Sequence, residues 1–253
     1  MSDILEISRS GRVVTLRLNR PDKRNALSAD LCLRLVRALE EADADPSIGA
    51  IVLAANGPAF CAGMDLAEVR PDNPREFDVV HEQLFTIGAR LVTPLIAAVA
   101  GPALGGGTGL VANCHIAVAA DRAIFGLTEI RLGLWPFLVF RAVSAAIGER
   151  RALEMALTGR TFSAHEAKET GLVHEVVHDP AASAGALAEA IAGSSPTAIR
   201  AGMGFVQEVR GSDWKEAGLI AARIRNQVFQ SADFREGILA FREKRKPKWP
   251  SLT

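Results

Sequence analysis

Two glycine turns stand at the ends of apolar stretches, and their residue types suit one kind of chemistry. Phe60-Cys61-Ala62-Gly63-Met64-Asp65-Leu66 follows the apolar run Ala50 to Ala55; Gly101-Pro102-Ala103-Leu104-Gly105-Gly106-Gly107-Thr108-Gly109 follows Leu95 to Ala100 and precedes an apolar, helix-like stretch. No side chain lies along Gly105 to Gly107, so a ligand can touch the main chain there. If a helix begins at these glycines, its first N–H groups lack intrahelical partners and point outward with the positive end of the dipole behind them. That suits an anion, or a carbonyl oxygen becoming one, and two strand ends can aim two N–H groups at one oxygen. The same glycines equally fit a tight turn or close packing with no ligand, and the pattern alone leaves both readings open.

Other chemistries fit less well. No Lys-Ser or Lys-Thr pair follows the glycines, which excludes a P-loop, and positions 105, 106, 107 and 109 do not make the G-x-G-x-x-G spacing of a dinucleotide site. Among the five histidines, His174 and His178 stand in the letter pattern H-E-x-x-H, but they fall in or near a strand, where a spacing of four does not build a helical metal face, so no metal site is expected. A G-x-S-x-G elbow is missing too, which disfavours a Ser-His-Asp hydrolase of the α/β type.

The elements that position these turns follow from composition and periodicity. A chain of 253 residues, 49% hydrophobic and 23% charged, buries a substantial core in one domain or one domain with an appendage. Basic and acidic residues balance at 29 each, which leaves no global field for nucleic acid or an anionic membrane. Cys32, Cys61 and Cys114 are odd in number and without C-x-x-C spacing, so neither a disulfide framework nor a zinc knuckle is indicated and a reducing cytoplasm is the simplest home. No signal peptide is read at the N-terminus, and Gly and Pro cut the apolar runs short of membrane-spanning length.

Ile4 to Ser8 and Arg12 to Leu18 alternate as a hairpin. Ser28 is placed to cap a helix bearing Leu31, Leu35, Val36 and Leu39. Strands at Ala50 to Ala55 and Leu95 to Ala100 surround an interruption at Pro71 to Pro74 and a helix from Glu76 to Leu91, implying an α/β class with parallel pairing. Short strands at Ile116 to Ala120 and Ala123 to Phe125 lead to Glu129. Helices near Ala142 to Ile147, Arg150 to Leu157 and Ala164 to Glu169 precede a strand at Leu172 to Val177. From Pro180 onward the pattern is helical, and this late run reads as an appendage whose apolar faces need a partner surface.

Taken together, these stretches resemble the crotonase family, the enoyl-CoA hydratase/isomerase superfamily. The matching pieces are Leu18-Asn19-Arg20-Pro21 with Asn25-Ala26-Leu27, Ala59 to Leu66, Pro102 to Gly107, Phe125-Gly126 with Glu129, Leu157 to Arg160, Ala167 to Val173 and Phe241 to Pro247. Each is weak alone; their order and spacing carry the resemblance. It implies a crotonase-like (Clp/crotonase) spiral of ββα units in residues 1–194 and a C-terminal helical region, 195–253, for assembly as a homotrimer or dimer of trimers. Acyl-CoA thioesters are the implied substrates, with coenzyme A arriving as part of the substrate rather than as a resident cofactor. The related Clp-type serine proteases share the spiral, but no nucleophilic Ser stands in the matching motif.

By motif, the resemblance assigns the two oxyanion-hole amides to Met64 and Gly106. It lays CoA and substrate along Lys23, Arg24 and Ala26 and along Ala62, Gly63, Asp65 and Leu66, with Gly105, Trp135 and Pro136 nearby. Arg242 to Lys248 either reaches CoA phosphates or solubilises the chain end. Family hydratases carry two glutamates; here Gly109 stands at the first position and only Glu129 remains at the second. A lone glutamate is similar to the Δ3,Δ2-enoyl-CoA isomerases, so Glu129 is expected as a single general base and acid moving a double bond. Hydration of a 2-enoyl-CoA is the alternative, and a non-catalytic member binding acyl-CoA or RNA is an alternative of another class. His115 stands where the family usually has an aspartate and is read as structural, as is Asp65.

Overall fold

The computed structural model describes residues 3–69 and 75–252. The expected interruption at Pro71 to Pro74 lies outside the described residues. β1 (Leu5–Ser10) and β2 (Val13–Leu18) form the expected antiparallel hairpin about Gly11. α1 (Ala29–Ala44) begins where Ser28 Oγ accepts the Leu31 amide at 3.3 Å, and it buries Leu31, Leu35 and Leu39 on one face. β3 (Ala50–Ala55), α2 (Arg75–Ile87), β4 (Leu95–Val99) and β5 (Ala103–Leu104) lead into α3 (Gly106–Asn113).

β6 (Ile116–Ala119), β7 (Ile124–Gly126), α4 (Phe137–Ile147), α5 (Glu149–Thr158), β8 (Phe162–Ser163) and α6 (Ala164–Thr170) follow. β9 is only Glu175–Val176, shorter than the expected strand over Leu172 to Val177, because β9 pairs with β6 only through the partners Val118 and Ala119. The chain ends in α7 (Pro180–Ala192), α8 (Pro196–Glu208), α9 (Trp214–Phe229) and α10 (Ala232–Arg242).

Among the described residues the strands make two sheets. One runs β1-β2-β3-β4-β6-β9 and is parallel from β2 onward, as the strand–helix–strand pattern requires. Its β3 and β4 are buried on both faces. The other, β5-β7-β8, is extended by the single bridges Cys61 to Ala103 and Leu27 to Met64. This second layer is what brings the two glycine turns together.

α7 corrects the reading of everything after Pro180 as an appendage. Its Ala184, Ala188 and Ala192 pack on Ala50, Val52, Ile96 and Val118, covering the outer face of the main sheet. A run of alanines lets the helix approach closely while removing that face from water. α8 and α9, by contrast, contain no buried residue; α8 makes polar contacts from Arg200 to the Asp43 carbonyl and from Gln207 to the Leu91 carbonyl, and Arg223 of α9 pairs with Glu208 of α8.

Candidate active site

The Ala62-Gly63-Met64 turn is held from behind by the loop at 20–27. Asn25, fully buried, accepts the Arg20 amide and donates to the carbonyls of Asn56 and Ala59, and the Arg24 carbonyl accepts the Ala62 amide at 3.0 Å. Leu27 donates to the Gly63 carbonyl and accepts the Asp65 amide, which pairs the chain on both sides of Met64 and leaves the Met64 N–H facing away from this ladder.

Gly105 precedes α3 with φ +53°, a left-handed conformation open to glycine, and Gly106 is the first helical residue. Thr108 anchors this end: its hydroxyl donates to the Ala103 carbonyl at 2.7 Å and accepts the Gly126 amide at 3.0 Å. The turns are in contact. A Cβ added at Gly63, itself at φ +90°, would stand 3.2 Å from the Gly106 nitrogen and 3.0 Å from the Leu104 carbonyl. Among the described residues, no acceptor meets the Met64 or Gly106 amide.

Glu129 follows β7 and opens a 3-10 turn over Glu129–Leu132, which closes at Gly133. Its carboxyl lies against the glycine triplet, its Oε1 3.0 Å from where a Cβ on Gly105 would stand. Oε2 is buried and no donor among the described residues meets it. Burial therefore pushes the Glu129 carboxyl above the ordinary carboxylate range, because the charged form loses more hydration than its surroundings return.

These groups open on a cavity of about 640 Å³, within the range of about 300–1,000 Å³ usual for small-molecule sites. Met64, Gly106 and Glu129 line it, as do Ala62, Gly63, Leu66 and Gly105. Trp135 and Pro136 form part of its apolar side, where the Trp135 and Phe140 rings pack 5.6 Å apart. Lys23, Arg24, Ala26 and Asp65 do not line it. Lys23 and Arg24 are exposed on the loop that backs the turn.

Asp65 binds Arg20 at 2.8 Å and the Ala67 amide; burial raises its carboxyl, but these hydrogen bonds and the charges of Arg20 and Lys23 outweigh it and hold it below the usual range. Among the cationic end residues, Arg245 is engaged by Glu236 and Glu243. His115 is structural: its Nδ1 accepts the Leu95 amide while Nε2 meets the Gly88 carbonyl, and burial pulls its pKa down.

Sequence reasoning did not place α2 here, yet His81, Glu82 and Phe85 line the cavity. The helical spacing of α2 marks a buried face but not the surface that face meets. His81 sits with Nε2 3.6 Å from Cys32 Sγ, and Glu82 is exposed at the mouth. Cys61, below the turn, has its thiol pushed up to about 12 by burial, so it stays protonated.

Residues 8–251 match the family model for enoyl-CoA hydratase/isomerase. The chain belongs to that family. It is 37% identical to the enoyl-CoA hydratase EchA19 of Mycobacterium tuberculosis, covering 96% of this chain and 95% of that one. An enoyl-CoA hydratase structure from Mycobacterium smegmatis matches with TM-score 0.92 and 36% identity over 98% of this chain and 99% of the other. One from Bacillus anthracis matches with TM-score 0.93 and 33% identity over 98% and 100%. The α/β crotonase fold expected from the motifs is therefore the fold of this chain.

Proposed function

We propose that this enoyl-CoA hydratase/isomerase family member acts on acyl-CoA thioesters by forming an enolate, and that its preferred reaction is movement of a double bond from C3–C4 to C2–C3. Glu129 takes the proton from C2 of a 3-enoyl-CoA as the thioester oxygen gains charge, and the same carboxyl returns the proton to C4. The Met64 and Gly106 amides meet the developing oxyanion; a donor of this type is worth about 3 kcal/mol in the transition state. A carboxyl with a raised pKa suits both halves, since its carboxylate takes a proton more avidly than one whose charge is stabilised by a cation, and it holds that proton until C4 receives it.

The observation that carries this reading is the Glu129 carboxyl lying against Gly105 with a buried, unpartnered oxygen, beside two unpartnered amides. Coenzyme A is read as part of the substrate, passing the exposed Lys23–Arg24 loop toward the Ala62–Leu66 turn. Exposed Trp214, Leu219, Phe229 and Phe241 support self-association through residues 195–253 as a homotrimer or dimer of trimers. Among the described residues no helix is long and apolar enough to cross a membrane.

Hydration is the second reading, favoured by the names of the relatives and by Glu82, a second carboxylate in the cavity wall. Incubation with a 3-enoyl-CoA and, separately, a 2-enoyl-CoA separates the two. NMR of the products should show the 2-enoyl isomer from the first and little 3-hydroxyacyl-CoA from the second. Rapid hydration without isomerisation would reverse the assignment; saturable binding without turnover would favour a non-catalytic acyl-CoA-binding protein.

A further inference from the structure

Part of the cavity that Glu129 lines is walled by side chains that pack against α3, and their composition bears on which reaction is possible. Gly109 lies in the interior of α3, where glycine is disfavoured by about 1 kcal/mol relative to alanine. Packing accounts for it. A Cβ at Gly109 would stand 2.4 Å from Val139 Cγ1, 2.7 Å from Val139 Cβ and 3.1 Å from Phe85 Cε1, all inside the carbon contact distance of about 3.5–4.0 Å. Val139, in the first turn of α4, is 3% exposed, and Phe85, on α2, is 6% exposed. Both line the cavity, whereas Gly109 does not. Three helices thus meet where a side chain on α3 would otherwise enter the site, and hydrocarbon fills the place.

Adding water across C2=C3 puts a hydroxyl on C3 and a proton on C2, so a water must be held and deprotonated at C3. A wall of Val139 and Phe85 offers it no acceptor. We propose that Val139, backed by Phe85, determines reaction specificity by closing the α3 wall to water and to a second acid, so that turnover is confined to proton transfer through Glu129. This rests on the isomerisation reading above and adds the residues that enforce it.

The test is a double-mutant cycle on the full-length protein. Gly109→Ala should lower the melting temperature by about 5 °C or more, and combining it with Val139→Gly should recover part of that loss beyond additivity. In parallel, Gly109→Glu, Val139→Gly and the double variant are incubated with a 2-enoyl-CoA in 18O-water. The double variant is expected to form labelled 3-hydroxyacyl-CoA about 10²-fold faster than the wild type, and Gly109→Glu alone to show little gain.

The proposal is overturned if Gly109→Ala melts with the wild type, if Gly109→Glu alone hydrates as fast as the double variant, or if the double variant folds without a gain in label. It is equally overturned if the wild type already hydrates at the double variant's rate. Wild-type isomerisation of a 3-enoyl-CoA, measured alongside, keeps the two claims apart. Its absence with the expected coupling and label gain would remove the isomerisation reading and support the plug; its presence without them would remove the plug alone.

Discussion

Two carboxylates stand beside the paired glycine turns, and their surroundings keep them in opposite states. Asp65 is gripped by Arg20 and the Ala67 amide and held below the usual carboxylate range; Glu129, across the Gly63–Gly106 contact, has one buried oxygen with no donor among the described residues and is held above it. On the proposed reading this difference divides the work. A carboxylate whose charge is already satisfied braces the loop at 20–27 against the turn, while one whose charge is costly is ready to carry a proton. Its cost is accepted at the point where a substrate would meet it, the usual pattern for a reactive group.

The comparison is broken most severely by joining the two regions with an atom. Gly63→Ala places a Cβ 3.2 Å from the Gly106 nitrogen at a backbone conformation that alanine resists, so the two amides should separate. Turnover number is expected to fall by about 10²-fold or more, read by steady-state kinetics, with a weaker effect on CoA affinity. Next comes the braced side. Arg20→Ala leaves the Asp65 carboxylate and the Ala26 carbonyl without their guanidinium and should destabilise the fold by about 3 kcal/mol in urea unfolding. The stabilisation that Asp65 contributes is present above its unfolded pKa and is lost as pH falls through its lowered folded value, so the penalty should shrink in acid.

How much of this was legible in the sequence follows from what each feature depends on. The cap at Ser28, the parallel strands and the glycine turns depend on residues close in sequence or on periodicity, and they were readable. Met64, Gly106 and Glu129 were placed by motif order, and the folded chain sets them around one cavity. The α2 face with His81, Glu82 and Phe85 was not readable, because amphipathic spacing does not say which surface a helix covers. Nor was the plug at Gly109: an absent side chain leaves no trace of the Val139 and Phe85 atoms that occupy its place. α7 was misread as appendage because a polyalanine stripe looks weakly amphipathic even when it covers a sheet.

Smaller effects sharpen the contrast. Because the folded pKa of Glu129 is raised, its ionisation costs stability, and that cost grows as pH rises from the ordinary value of 4.5 through the folded value. Glu129→Gln should therefore melt higher than the wild type at pH 7–8, and the gain should vanish below the ordinary value of 4.5. The same shift moves the acid limb of kcat/KM above the ordinary carboxylate range. Glu82→Gln, exposed at the mouth, should leave isomerisation within about twofold; a large loss there would transfer weight to the hydration reading.

Turnover and binding in Glu129→Gln, measured on one preparation with a 3-enoyl-CoA and with an unreactive acyl-CoA, address the central assignment most directly. On the proposed reading the carboxyl alone moves the proton, so isomerisation should drop by about 10³-fold while calorimetric affinity for the unreactive acyl-CoA stays within a few-fold. Isomerisation persisting within tenfold of the wild-type rate would contradict it.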